Sequence, residues 1–276
     1  MLEPDDRHER RSLAETLRGL RKAAGLSGER LVARIAMSQS KISRIESGRT
    51  IPAVADVERI LKGLAPIPSD VADHVLSLAR VANVQHATWR SVARSGLWRK
   101  QAEIKALTES SETVRHFLPI VPSGLLQTPE YARCALTPVI EGNPDRDIDR
   151  AFRSRLDSQS ALNDESRRFY FLLTEQAVRL KRAPALVMAG QLRHMARVAE
   201  RPNVELAIVP WSVMVEASPL NVFVAYDDRL VTVELFSGEV ALRDYRDVLY
   251  HLNVFAYFRG RAVSGGDARA LLNGRG

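Results

Sequence analysis

Cysteine is nearly absent: the 276-residue chain has one, Cys134. A single thiol forms no internal disulfide, and without a Cys cluster no zinc or iron–sulfur centre can be built on thiolates. The chain therefore reads as made for a reducing, cytoplasmic compartment. Long apolar runs are also missing. The longest, at 183–190 and 206–215, fall far short of the roughly 20 residues that cross a bilayer, so no membrane partner is expected. The first eleven residues carry charges of both signs and no apolar core. They are not a signal peptide and read as a solvated tail. The histidines, His8, His74, His86, His116, His194 and His251, are scattered and show no metal-ligand spacing. There is no Gly-rich phosphate loop and no Ser-centred nucleophile elbow. No catalytic residue, metal or cofactor is expected, and an enzyme is not the reading.

What is present is ordinary for a globular protein: 45% hydrophobic and 26% charged residues. The length corresponds to about two domains. The net charge of +7 hints at a polyanion partner only if it is concentrated somewhere. The pattern predicts an α+β chain: an N-terminal all-α domain over 12–64, a linker and connecting helices over 65–110, and a larger mixed α/β domain over 111–276. In the first part, Ser12 and Glu15 form a capping box. Leu13, Leu17 and Leu20 then give helical spacing and Gly25 stops the helix. Ser27 and Ser38 cap two further short helices, Gly48 ends the second of these, and Thr50-Ile51-Pro52 starts a fourth through Leu64. Pro66 and Pro68 break helix continuity. Further on, helices are expected over 70–82, 98–110, 145–162, 185–200 and 244–258, with one starting at Thr128-Pro129. Strands are expected over 113–121, 169–174, 204–209, 221–226, 230–236 and 239–242. Ser264 is expected to cap a last short helix.

The informative segment runs from Leu26 to Arg49. On a helical wheel started at Ser38, Ile42 and Ile45 point inward. Ser40, Ser43, Arg44 and Ser47 occupy the opposite side, Lys41 lies at its flank and Gln39 at the helix start. Exposed helix faces usually carry Glu/Lys pairs; short hydroxyls, a Gln and cations suit a major groove instead. Gln matches adenine edges, Arg and Lys match guanine, and Ser meets base or phosphate. The charge agrees. Between Arg11 and Arg49 nine cations stand against three anions, a net +6 that is most of the chain's excess.

This segment resembles the DNA-binding domain of the phage-repressor-like, XRE-type helix-turn-helix family. The resemblance implies double-stranded operator DNA as the partner. It places Gln39, Ser40, Lys41, Ser43 and Arg44 where bases are read, and Ser47, Arg49 and Thr50 where phosphates are gripped. It implies a structural ion pair between Arg21 and Glu46. Three positions depart from the family pattern. Gly28 replaces a Gln and removes a phosphate contact; Val32 replaces a small Ala at the helix crossing. Ala36 replaces the Gly of the turn, so its positive φ is either strained or absent. The stretch from Phe117 to Ala132, with Pro122-Ser123-Gly124-Leu125-Leu126-Gln127-Thr128-Pro129-Glu130-Tyr131-Ala132 at its heart, is similar to actinobacterial regulators that join such a domain to an uncharacterised C-terminal domain. Arg201-Pro202-Asn203-Val204 and Val209-Pro210-Trp211 fit the same pattern. That resemblance implies an antitoxin-like transcriptional regulator.

Other constellations read as structural. Asp227-Asp228 is a turn, although with Glu239 it can be imagined as a carboxylate site. Cys134 reads as core, and Trp89, Trp98 and Trp211 as core anchors rather than pocket walls. Ser264-Gly265-Gly266-Asp267 reads as a cap and loop. The expected function is a sequence-specific DNA-binding regulator acting as a homodimer, since one short helix reads few bases. Its C-terminal domain would dimerise, sense a partner, or both. The alternatives are an antitoxin-like interaction module for a small acidic partner protein, and a sensor of a small-molecule effector.

Overall fold

The computed structural model describes residues 4–64, 66–137, 139–140 and 147–274. The chain divides into two compact units, 1–85 with 241–247 and 86–240 with 248–276. The first is built from helices α1 (Pro4–Ala23), α2 (Gly28–Ile35), α3 (Gln39–Glu46), α4 (Val54–Leu64) and α5 (Ser69–Ala82). Leu13 and Leu17 of α1, Leu31 and Ile35 of α2, Ile42 and Ile45 of α3, and Val57 and Ile60 of α4 share one buried core. Two expectations change here. The helix expected to begin at Ser12 begins at Pro4, with proline in the first turn where its missing N–H costs nothing. The backbone of 4–11 is therefore helical rather than a tail. Ser12 is inside the helix, and its carbonyl accepts the Thr16 hydroxyl. The connecting segment expected over 65–110 is divided between the units, because Val75, Ala79 and Ala82 of α5 are buried in the helical core. Close approach explains one glycine. A Cβ on Gly63 of α4 would stand 2.2 Å from Ile35 Cγ2 of α2.

After α5 the chain alternates strands and helices: β1 (Val84–Thr88), α6 (Trp89–Ser95), α7 (Leu97–Glu109), β2 (Thr113–Leu118), α8 (Pro129–Leu136), α9 (Ile148–Ser158), β3 (Arg168–Thr174), α10 (Glu175–Arg179), α11 (Ala185–Val198), β4 (Val204–Val209), β5 (Phe223–Tyr226), β6 (Leu230–Glu234), β7 (Gly238–Leu242), α12 (Tyr245–Arg259), β8 (Val263–Ser264) and α13 (Gly265–Leu272). The architecture is α+β. Among the described residues the strands form one eight-stranded sheet, ordered β1-β7-β6-β5-β2-β3-β4-β8. β2, β3 and β4 are parallel; β5 is antiparallel to β2, and β6 to β5. The helix expected over 145–162 is shorter, since α9 gives way to a 3-10 turn at Gln159, and 145–146 lie outside the described residues. Ser264 stands before α13 without a side-chain capping bond, because it is committed to β8.

Strand alternation gives the sheet two chemically different faces. On one, Phe117 packs on Phe223 at 5.1 Å and on Phe258 of α12 at 4.9 Å between ring centroids. On the other, His116, Val224 and Thr232 form a row across β2, β5 and β6. The loop after β2 is tied down by two glutamines from elsewhere in the chain. Gln191 of α11 accepts from the Thr128 N–H at 2.8 Å and donates to the Leu126 carbonyl at 2.6 Å. Gln159 donates to the carbonyls of Gly124 and Gln127 at 2.9 and 2.8 Å. Thr128 caps α8 with Pro129 in the first turn, as the sequence pattern expects. Trp211, expected as a core anchor, is 63% exposed. Cys134 is half-buried in α8.

His116 is buried and stacks on Phe171 with ring centroids 4.8 Å apart. Burial lowers its pKa from 6.5 to about 3. Between those values the unfolded chain binds a proton that the folded chain does not, so stability falls as pH drops below 6.5. This site contributes a loss of about 1.4 kcal/mol per pH unit in that window. Urea unfolding of the parent and His116→Gln across the window should show a shallower pH dependence in the variant. Equal slopes would refute the assignment.

Candidate nucleic-acid interface

The helix-turn-helix is set by two serine caps. The Ser27 hydroxyl accepts from the Arg30 N–H at 3.2 Å and starts α2. Ser38 accepts from the Lys41 N–H at 3.3 Å and starts α3. Between them Ala36 adopts φ 51° and ψ 44°, the left-handed conformation more usual for glycine. The turn is thus kept with an L-residue, at a cost of about 1–2 kcal/mol. Leu31 and Ile35 anchor α2, and Ile42 and Ile45 anchor α3, all buried.

That anchoring fixes what α3 presents. Gln39, Ser40, Ser43, Arg44, Ser47, Arg49 and Thr50 are all exposed. Arg44 and Arg49 have no ion-pair partner among the described residues, so their charge is available to a ligand. Ser47 closes α3, its hydroxyl donating to the Arg44 carbonyl at 3.2 Å. The N–H groups of Arg49 and Thr50 both return to that same carbonyl, at 2.9 and 3.2 Å. This hooks the chain back over the end of the helix and keeps Arg49 beside it.

Lys41 stands apart from the other expected contact residues. Its ammonium is 2.8 Å from Asp56 Oδ2, and the Asp56 side chain is only 6% exposed. Asp56 also holds Arg59 at 3.1 Å. A buried carboxylate needs such partners, so Lys41 links α3 to α4. Sequence reading missed Asp56. Its only local signal is an acid in the first turn of α4, a common place for one.

The pair expected between Arg21 and Glu46 is present and bidentate. Arg21 Nε and Nη2 each stand 2.6 Å from one Glu46 oxygen, and both side chains are 13% exposed. The third donor, Nη1, reaches the Leu26 carbonyl at 2.7 Å. One guanidinium thus joins α1, the α1–α2 turn and α3, and its hydrogen bond to Glu46 raises its pKa further. Arg34 donates to the Gly63 carbonyl at 3.2 Å. So part of the local +6 is structural, and Arg18, Lys22, Arg30, Arg44 and Arg49 remain exposed cations without an ion pair among the described residues. No group of three or more potential metal ligands occurs among the described residues, and no helix there is long and apolar enough to cross a membrane.

Comparison with known proteins gives four findings. A family model described as "Helix-turn-helix domain" matches residues 12–73. A second, described as "Domain of unknown function (DUF5753)", matches residues 101–274. No curated protein matches. Among solved structures, the archaeal chromatin protein TrmBL2 aligns over 82% of this chain and 67% of its own, with 14% identity and a TM-score of 0.34. That score does not establish a shared fold.

Two substitutions test the local geometry. Ala36→Gly relieves the left-handed alanine and should raise stability by about 1 kcal/mol. Glu46→Ala leaves a mostly covered guanidinium unpaired and should lower stability by about 1–3 kcal/mol. Urea unfolding measures both. A destabilised Ala36→Gly or a neutral Glu46→Ala would contradict the description.

Proposed function

Since the chain belongs to the DUF5753 family and carries a helix-turn-helix domain ahead of that region, we propose that it is a sequence-specific, DNA-binding transcriptional regulator of the XRE type. One observation carries this: the outward face of α3 is uncharged hydroxyls, an amide and an unpaired arginine, held rigidly over two buried isoleucines. In this reading α3 enters the major groove. Gln39, Ser40, Ser43 and Arg44 meet base edges, with Arg44 the residue suited to guanine. Ser47, Arg49 and Thr50 meet the backbone, which fixes register without reading sequence. Lys41 keeps Asp56 and contributes its charge at the flank. The XRE type is supported by the Arg21–Glu46 pair, found where the resemblance puts it. A homodimer follows from the small number of bases one eight-residue helix can read. The α/β unit is the sensing part.

Selection of bound fragments from genomic DNA, with purified full-length protein, tests this and returns the operator. On that operator Arg44→Ala should cost about 1–3 kcal/mol and relax specificity at one position. Arg49→Ala should weaken all duplexes similarly and reduce the salt slope by about 1. The operator should contain two half-sites about one helical turn apart. Arg44→Ala binding cognate and scrambled duplex as the parent does would refute base reading by α3.

A further inference from the structure

The second unit contains a cavity of about 300 Å³ on the His116–Val224–Thr232 face of its sheet. α7 covers it with Leu97, Lys100, Gln101 and Ile104, which share one face of that helix. Arg155 and Ser158 of α9 and Tyr131 of α8 close it further. The volume equals about ten waters and lies at the lower end of small-molecule sites. It is too large for a single ion.

Its polar groups are incompletely matched. Lys100 and Glu239 satisfy each other, with Nζ 2.5 Å from Oε1. Arg182, also in the lining, is exposed and hydrogen-bonds Tyr131. Three groups without a partner remain. His116 Nε2 and Arg155 Nε are buried with no hydrogen-bond partner. The Glu234 side chain lines the cavity and accepts no hydrogen bond among the described residues. Glu234 is an exposed residue and faces the open side of the cavity. Unpaired buried polar atoms are rare, so His116 Nε2 and Arg155 Nε each call for a partner. Arg155 and Glu234 feel each other's charge but form no ion pair. They face the same space without meeting across it.

Arg155 is also held in place. Its Nη1 donates to Gln127 Oε1 at 3.0 Å, and Gln127 is fixed in turn by its amide bond to the Pro122 carbonyl at 2.9 Å. With Lys100 and Glu239 self-paired and the exposed Arg182 hydrogen-bonded to Tyr131, Arg155 and Glu234 are left. A bare anion on Arg155 would leave Glu234 unmatched, and a bare cation on Glu234 would leave the buried Arg155 Nε unmatched, which is the costlier of the two. A net-neutral molecule with separated charges matches both. Leu118, Val121 and Val224 supply an apolar wall.

We propose that this cavity binds a small amino-acid-like zwitterion, with its carboxylate on Arg155, its ammonium on Glu234 and an apolar body against Leu118 and Val224. Burial favours a neutral His116, which contributes Nε2 as a hydrogen-bonding atom without charge. Burial and nearby Glu239 push the Glu234 carboxyl up when the site is empty. A bound ammonium would hold it ionised. The proposal stands on the second unit alone and does not depend on DNA binding.

The test uses the full chain and the free protein amino acids as probes. Melting curves are recorded with each one. For any that raises the melting temperature, affinity is measured by calorimetry beside its deaminated acid and decarboxylated amine. At least one apolar amino acid should bind, and each analogue should lose at least about tenfold. Glu234→Gln keeps the shape and breaks no hydrogen bond of the fold, and it should lose about as much for the amino acid but not for the deaminated acid. No binding by any probe means a hydrated cavity and overturns the proposal. Equal binding by the parent and Glu234→Gln, or by the amino acid and both analogues, also overturns it.

Discussion

A guanidinium and a carboxylate that are each 13% exposed must satisfy one another, because an unmatched charge in such a place is strongly disfavoured. Arg21 and Glu46 meet this constraint with two parallel bonds, and the remaining Arg21 donor closes on the Leu26 carbonyl. The rest of the helical unit follows from it. The bidentate geometry fixes α3 in rotation as well as position, which a single apolar contact would not do. Ile42 and Ile45 then lie in the core, and every residue on the other side of α3 is aimed outward. Lys41 and Asp56 repeat the device between α3 and α4. The helix that is to read a ligand is thus clamped from two sides by charges not offered to the ligand.

The two units use polar residues in opposite ways. In the helical unit the unpaired polar groups sit on an exposed face and are available to something large. In the α/β unit they point inward around about 300 Å³ and are available only to something small. The sheet makes this possible. Its period of two sends Phe117 and Phe223 to a dense aromatic face and His116, Val224 and Thr232 to the other. α7 covers that second face with a mixed apolar and polar stripe rather than a uniformly apolar one.

Much of the helical unit was legible because its determinants are local. Ser27 and Ser38 announce helix starts, the isoleucines of α3 announce its inner face, and the polar inventory opposite them stands out in a short window. Where local signals compete, the surrounding fold decides. The Ser12 capping box is overridden by a helix that continues back to Pro4. Lys41 reads as a groove cation, and the carboxylate that also holds it comes from another helix, fifteen positions on. The position of Ala36 was foreseen as a problem, and its φ of 51° shows that the fold kept the turn and accepted the strain. The cavity was not legible at all. Arg155, His116 and Glu234 are brought together by strand pairing and helix packing, and no spacing in the chain announces them. Glu239, imagined in a carboxylate pair with a turn aspartate, instead faces Lys100.

The central claim is that the outward face of α3 lies in a major groove. Dimethyl sulfate probing of the bound operator tests it most directly, because the reagent attacks guanine N7 in the major groove and adenine N3 in the minor groove. The account predicts protection of guanine N7 in two clusters about one helical turn apart, with the guanine facing Arg44 regaining reactivity in Arg44→Ala. Protection confined to adenine N3, or a guanine pattern unchanged by Arg44→Ala, would contradict it.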